Sequence, residues 1–238
     1  MRKSLVVFGL FSFVAGIVAP PAWSQTKADN RLEEAALVMN AIMQTPDRGI
    51  PQEFLHDAVC LGIIPSEKRV AFVFGANYGR GALVCRQGGN GPWGAPSMIK
   101  VGGGSYGLQV GGEATDIVFI VMSASAAEKL MRRSLKLGAD ISVAAGPVGR
   151  SAEGATNAHF NAGLISYSRA RGLFAGMSLS GAVLKEDAKA NRQLYHRNLA
   201  PRQILLSGTV APPPSAKPLD GVLEKYLPHG GKPMTQKH

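Results

Sequence analysis

Two cysteines in 238 residues, Cys60 and Cys85, are too few for a disulfide-built scaffold. They lack C-x-x-C spacing and nearby histidines, which disfavours a metal or redox pair. Acidic residues are scarce too: 16 Asp and Glu face 26 Lys and Arg, a formal net charge of +10. That excess favours anionic partners such as membrane surfaces, nucleic acid or acidic glycans. No H-E-x-x-H, no P-loop and no paired carboxylates beside an aromatic cleft signature occur. Metal-dependent hydrolysis therefore has no visible ligand set, and neither a metal nor a cofactor is expected. Long apolar runs are missing as well, with one exception.

The exception follows Arg2 and Lys3, extends from Leu5 to Ala19 and ends near Ala22-Trp23-Ser24. At about fifteen residues it is short for a membrane span, which needs roughly 20. Its charged start and small-residue end are those of a signal peptide. Residues 1–24 are expected to be removed near Ser24, leaving an exported chain, periplasmic or secreted, of formal charge about +8. Export makes nucleic acid the weakest of the three anionic partners. It also places Cys60 and Cys85 where thiols are joined, so one disulfide between them is expected. The loop it closes is worth about 3 kcal/mol in a chain-entropy picture. The remaining length suits one domain.

From Asn30 to Gln44, Leu32, Ala35, Ala36, Met39, Ile42 and Met43 recur at helical spacing, with Asn30 and Glu33 placed as a capping box. Pro51 suits the first turn of a second helix running through Phe54, Leu55 and Val59 towards Cys60. After Pro65 the pattern changes to RVAFVFG, RGALVCR, SMIKVG, YGLQVGG and DIVFIVM, short runs that predict strands joined by tight turns. Ser125 and Glu128 form a second capping box before KLMRRSLKL, with Gly138 placed as a left-handed terminator, which predicts a helix among the strands. Strands resume as ISVAAG, HFNAGLISYS and GLFAGMSLSGAVLK, followed by a polar helix over 186–197 and a short one at PRQILLSG. The domain is read as residues 25–208, and 209–238 as a Pro-rich, largely disordered tail in which Leu219 to Leu227 are a candidate for one last docked turn or two.

VGGGSYGLQVGGEATD, Val101 to Asp116, matches two catalytic patterns. Gly102, Gly104 and Gly107 fit G-x-G-x-x-G, and Gly103, Ser105 and Gly107 fit the G-x-S-x-G of a nucleophile elbow. Both mechanisms need a helix directly after the glycines, whereas alternating residues follow. The glycines are better read as serving bulges, sharp bends and close approach in a curved sheet. A serine hydrolase using Ser105, with His159 or His196 as base, is the competing reading, although one downstream histidine is nearly assured in a chain with five. Glu113 and Asp116 read as turn residues that accept backbone N–H bonds. Tyr78 beside Arg80, and Tyr167 beside Arg169 and Arg171, read as strand ends and not as stacking platforms for nucleic acid.

Lys129, Arg132, Arg133 and Lys136 are spaced i, i+3, i+4, i+7 and would line one face of the predicted helix. Such a stripe either is a solvated face or meets anionic phospholipid headgroups, each basic residue near the surface contributing on the order of 1 kcal/mol.

Read together, GIIPSEKRVAFVFGANYGRGALVCR, GPWGAPSMIKVGGGSYGLQVGGEATDIVFIVM, SVAAGPVGR and YSRARGLFAGMSLSGAV resemble the SYLF lipid-binding domain family, from about Arg31 to Ser207. The resemblance implies a binding domain without catalytic residues. Eukaryotic relatives join it to SH3 or FYVE modules, bind phosphoinositide membranes and regulate actin; bacterial relatives are exported single domains described as lipid-binding. In membrane-binding relatives a basic N-terminal amphipathic helix engages lipid, but the matching segment here carries Glu33 and Glu34 beside Arg31. The expectation is an α+β fold: a curved, mostly antiparallel sheet of short Gly-rich strands with N-terminal and mid-chain helices packed against it. Its expected function is non-catalytic association with anionic phospholipid of the bacterial envelope, with Lys129, Arg132, Arg133 and Lys136 on the headgroups. The alternatives are the Ser105 hydrolase and an envelope structural or protein-interaction module.

Overall fold

Helical spacing of apolar residues produces α1 (Lys27–Met43), which buries Leu32, Ala35, Met39 and Ile42 completely. The computed structural model describes residues 25–45, 49–71, 75–105, 113–148, 161–170 and 173–228; the expected signal peptide and the YGLQVGG strand lie outside them. The cap of α1 is Thr26 with Asp29 in a capping box, one turn earlier than the Asn30 and Glu33 expected. Thr26 Oγ1 accepts from the Ala28 and Asp29 N–H groups while Asp29 accepts from the Thr26 N–H. The second helix is shorter than expected: α2 (Gln52–His56) ends at Asp57, and Cys60 already starts a strand.

The strands are β1 (Cys60–Ala71), β2 (Gly75–Cys85), β3 (Ser97–Ser105), β4 (Glu113–Val121), β5 (Ser134–Lys136), β6 (Val143–Ala145), β7 (Leu164–Ala170), β8 (Leu173–Gly176) and β9 (Val183–Glu186). They form one sheet in the order β5-β9-β3-β2-β1-β4-β7-β6, with β8 also on β7. All pairings are antiparallel except β6 with β7. Pro65, expected before the first strand, sits inside β1, where the register shifts against both neighbours. Proline is tolerated in a sheet at such a bulge because no ladder N–H is needed there. Cys60 and Cys85 are opposite each other on β1 and β2 and are disulfide-bonded.

Strict alternation buries both faces. On one, Ile63, Ala82, Met98, Val118 and Ile165 pack under α1, α4 (Ala188–Tyr195) and α6 (Lys217–Tyr226); on the other, Leu83, Ile99, Ile117 and Phe119 meet α3 (Ala124–Leu130), Leu135 and α5 (Pro201–Leu205). Two glycines show why the sheet needs them. A Cβ on Gly62 would lie 2.0 Å from Phe119 Cζ, so the ring covers the bare backbone of its cross-strand partner. A Cβ on Gly103 would lie 3.1 Å from Ala182 Cα, the close approach read from the VGGGS run.

The chain from 209 was expected to be largely disordered apart from a docked turn or two at Leu219 to Leu227; the structure docks that stretch as the longer α6 and describes the chain as far as Pro228. Ala216, Leu219, Leu223 and Leu227 are buried, and α6 packs on α1, with Tyr226 donating to Asn40 Oδ1. The prolines end in a short 3-10 turn (Pro214–Ala216) that leads into α6. The fixing device is Arg86, only 3% exposed. Its Nε donates to Ala58 O (3.1 Å), its Nη2 to Leu227 O (3.0 Å), and its plane lies over Trp93 at 4.4 Å. Trp93 Nε1 donates to the same Leu227 carbonyl at 3.2 Å. The negative end of α6 is thus held by a buried cation.

Candidate functional site

The predicted basic helix does not form over its full length. Ser123, not Ser125, caps α3, its Oγ accepting from the Ala126 N–H, and the helix ends at Leu130 with Met131 as its last cap. Glu128, the other half of the expected capping box, instead pairs with Arg202. Residues 131–133 turn, and Ser134–Lys136 becomes β5 on the edge of β9. The reason is visible in the burial: Leu135 and Leu137 are two residues apart and both buried, a strand period, with Leu135 opposite Leu184. Four like charges on one helical stripe also repel. Gly138 does adopt positive φ (87°), but in the turn after β5. Lys129, Arg132, Arg133 and Lys136 therefore share a segment and no helix face; Lys129 is half-buried and the other three are exposed.

Strand register assembles a different set of cations. Arg80 on β2 is opposite Lys100 on β3, and Lys100 is opposite Lys185 on β9, which is opposite Ser134 on β5. Directly opposed residues lie on the same face, so Arg80, Lys100 and Lys185 form a row, with Lys136 two residues along β5 on that same face. Under the row sits Asp187, 1% exposed. Its Oδ1 is 3.1 Å from Lys100 Nζ and its Oδ2 is 3.6 Å from Arg80 Nη1. Asp187 also caps α4, accepting from the Ala190 N–H, while its own N–H donates to Met98 O. Asn191, one turn on, accepts from Met98 N–H at 2.7 Å, so strand and helix are locked beside the row. Single-sequence reading missed this set because its members are dispersed from 80 to 187; the alternation in SMIKVG and AVLKE places each lysine opposite a buried neighbour, but not next to the other.

The enzymatic alternative loses one of its histidines. Ser105 ends β3, and Tyr195, the neighbour of His196, donates to Pro96 O at the opposite end of that strand. At about 3.3 Å per residue, β3 puts about 25 Å between them. His196 lies instead in an open groove of about 390 Å³ with Asp29, Glu33 and Ser215 at the start of α1. His159 lies outside the described residues. No helix follows Ser105 in the described structure: the next element is strand β4. Asp116 accepts two bonds from Arg169 across β4 and β7, at 3.0 and 2.7 Å, in place of the turn contact expected. Tyr167 is fully buried and stacked on Phe174, which leaves no face for a base.

A cavity lined by Leu83, Ile99, Leu135, Leu184 and Leu205 together with Arg132, Lys185 and Glu186 holds about 10 Å³, far too little for an acyl chain. Among the described residues no cluster of His, Cys, Asp and Glu could hold a metal, and no helix is long and apolar enough to cross a membrane. What the arrangement offers chemically is a surface for anions.

The comparisons agree with the glycine-rich motifs. The Ysc84 family, described as Las17-binding protein actin regulator, matches residues 102–226. This chain belongs to the Ysc84, or SYLF, family. It is similar to LAS seventeen-binding protein 3 of Saccharomyces cerevisiae, 38% identical over 215 residues that cover 87% of this chain and 46% of that protein. An SH3 domain-containing protein of Schizosaccharomyces pombe is 42% identical over 75% of this chain and 41% of its own length. The human SH3 domain-containing YSC84-like protein 1 is 34% identical over 81% of this chain and 57% of its own. This Ysc84 chain spans about half the length of the curated relatives it matches. The names of these relatives describe one as a LAS seventeen-binding protein and the other two as SH3 domain-containing proteins. The match extends to Tyr226, so the matched segment includes α6.

Proposed function

We propose that this domain is a non-catalytic binding module that associates with anionic phospholipid surfaces. The observation that supports the reading most is the gathering of exposed cations at one sheet edge, where Arg132, Arg133 and Lys136 on and before β5 adjoin Lys185 on β9. Asp140, which accepts from the Lys136 N–H, and Glu186, which follows Lys185 on β9, are outnumbered by these four cations, and headgroup attraction adds on the order of 1 kcal/mol per basic residue. Lys129 contributes less than the sequence suggested, since it is half-buried on α3. The α1 helix is not the contact in this fold, because its apolar side is already inside the core. Flotation with phosphatidylglycerol-containing and purely zwitterionic vesicles tests the proposal. Binding to the anionic vesicles alone, lost in R132E/R133E/K136E, is expected; equal binding to both would overturn it.

The proposal includes export to a bacterial envelope, supported by the Arg2-Lys3 start with its apolar run and by the Cys60–Cys85 bond. The mature protein recovered from outside the cytoplasm should begin at Gln25 by intact mass. A second reading, a protein-interaction module, is favoured by the name of the relative called LAS seventeen-binding protein 3. It would gain from a reproducible protein partner together with no vesicle binding. Fluorophosphonate labelling that vanishes in Ser105→Ala would revive the hydrolase.

A further inference from the structure

We infer that the Cys60–Cys85 bond is a redox-set lock on the C-terminal helix: α6 seats firmly on α1 only in the oxidised chain. Cys85 directly precedes Arg86, and its carbonyl accepts from the Gly94 N–H at 2.9 Å, which fixes the neighbour of Trp93. Arg86 and Trp93 also form an antiparallel bridge. These two side chains are the donors that hold Leu227 O, at 3.0 and 3.2 Å. On the other strand Cys60 follows Ala58 and Val59, whose carbonyls accept from Arg86 Nε at 3.1 Å and from the Arg86 N–H at 2.9 Å. One sulfur is thus attached to the donors that grip α6, and the other to the acceptors that hold Arg86.

Backbone bonding does not close this rung. The Arg86 N–H donates to Val59 O, and bonded rungs of an antiparallel pair alternate with unbonded ones, so Cys60 opposite Cys85 is an unbonded rung. The Cys85 carbonyl accordingly turns away from β1 to Gly94. Cys60 is also the first residue of β1 and Cys85 the last of β2, an end at which local opening starts. The disulfide therefore keeps Ala58 and Arg86 together. When they part, the guanidinium loses its aim on Leu227, and Ala216, Leu219 and Leu223 lose the fixed end of the segment that presents them to α1.

Both cysteines are 0% exposed, so the bond is made while the chain folds and is not exchanged in place afterwards. A disulfide-bearing oxidant takes up the two electrons. One cysteine thiolate attacks an oxidant sulfur to give a mixed disulfide; the second displaces the oxidant as a dithiol, which carries away the two thiol protons. In a reducing compartment the chain keeps its thiols and α6 stays loosely seated. That timing relies on the export reading, whereas the lock itself does not.

Thermolysin clipping of the full mature chain tests the lock. The thiol form is prepared by refolding in dithiothreitol, and C60S/C85S serves as a second form without the bond. Clipping within α6, read by mass, should run about tenfold faster in both than in the oxidised protein, while no fragments arise from β1 to β4 over the same period. In Arg86→Met, reduction should leave the clipping rate unchanged, because the coupling runs through the guanidinium. Equal clipping of α6 in the oxidised and thiol proteins overturns the lock. So does cutting throughout the sheet that keeps pace with cutting in α6, which makes the bond a global brace. An acceleration that survives Arg86→Met overturns it as well. Vesicle flotation and the mass of the mature N-terminus are independent of clipping, so the lipid and export readings fail separately from the lock.

Discussion

Arg86 and Asp187 are both buried charges, 3% and 1% exposed, yet their surroundings divide the molecule into a structural end and a surface end. Arg86 is satisfied by carbonyls and an aromatic face, neutral partners that draw the end of α6 onto the body of the domain. Asp187 is paired with two cations that stay 45% and 33% exposed, so its charge organises a surface. Burial alone does not separate a structural charge from one that serves a binding face; the exposure of its partners does. Burial lowers the Arg86 pKa, partly opposed by the charge of Glu224, and the guanidinium still stays protonated across the working range.

The comparison breaks most visibly at Arg86. Arg86→Met should destabilise by about 3 kcal/mol, because carbonyls lose their donors and the stacked side chain loses its packing. Thermal unfolding should shift by roughly 6–12 °C for a domain of this size. Proteolysis within 209–228 should accelerate, and Arg86→Lys should not rescue, since one ammonium cannot reproduce the planar fork. A loss that does not touch the protection of α6 would sink this account. Replacing both cysteines with serine should cost about 3 kcal/mol by thermal unfolding and, because Cys85 immediately precedes Arg86 and Cys60 lies close to Ala58, should also loosen α6, though less than Arg86→Met does.

Asp187→Asn keeps a residue able to cap α4 and should cost about 1–2 kcal/mol in low salt. Unlike the Arg86 variant, its cost should shrink as salt rises, because half-exposed partners are screened. Equal salt dependence of the two variants would erase the distinction. The smallest effect concerns Asp220 on α6, whose carboxyl is pushed up to about 6 by burial and by the nearby Glu224 carboxylate. The folded state then holds a proton that the unfolded chain releases near pH 4, so stability falls as pH rises from about 4 to about 6. Because the group is only half-buried, the penalty above pH 6 is about 1 kcal/mol after screening. Asp220→Asn should remove it, flattening the pH profile of denaturant unfolding in that window.

Much of the architecture was legible because it rests on local pattern. The spacing from Leu32 to Met43 marked α1, and the alternation in RGALVCR, SMIKVG and DIVFIVM marked β2, β3 and β4. Of the glycines of VGGGS, Gly103 shows the close approach that was read from the run, with Ala182 packed against it. Boundaries were less legible. Helix-like spacing in KLMRRSLKL gave way when Leu135 found Leu184 across an open strand edge, a gain that no local propensity records. VAPPPSAKP read as a linker and Leu219 to Leu227 as a candidate docked turn or two; what local pattern did not show is that Leu219, Leu223 and Leu227 complete a core begun by α1.

By itself the sequence determined the α+β class, the family and the basic character of the chain, since periodicity, glycine placement and charge count are properties of neighbouring residues. Only the tertiary structure decided which cations share a face. Arg80, Lys100 and Lys185 are dispersed along the chain and meet because β2, β3 and β9 are neighbours in one sheet at a set register. Register is fixed by which faces the whole sheet buries, and that is settled when distant strands pair.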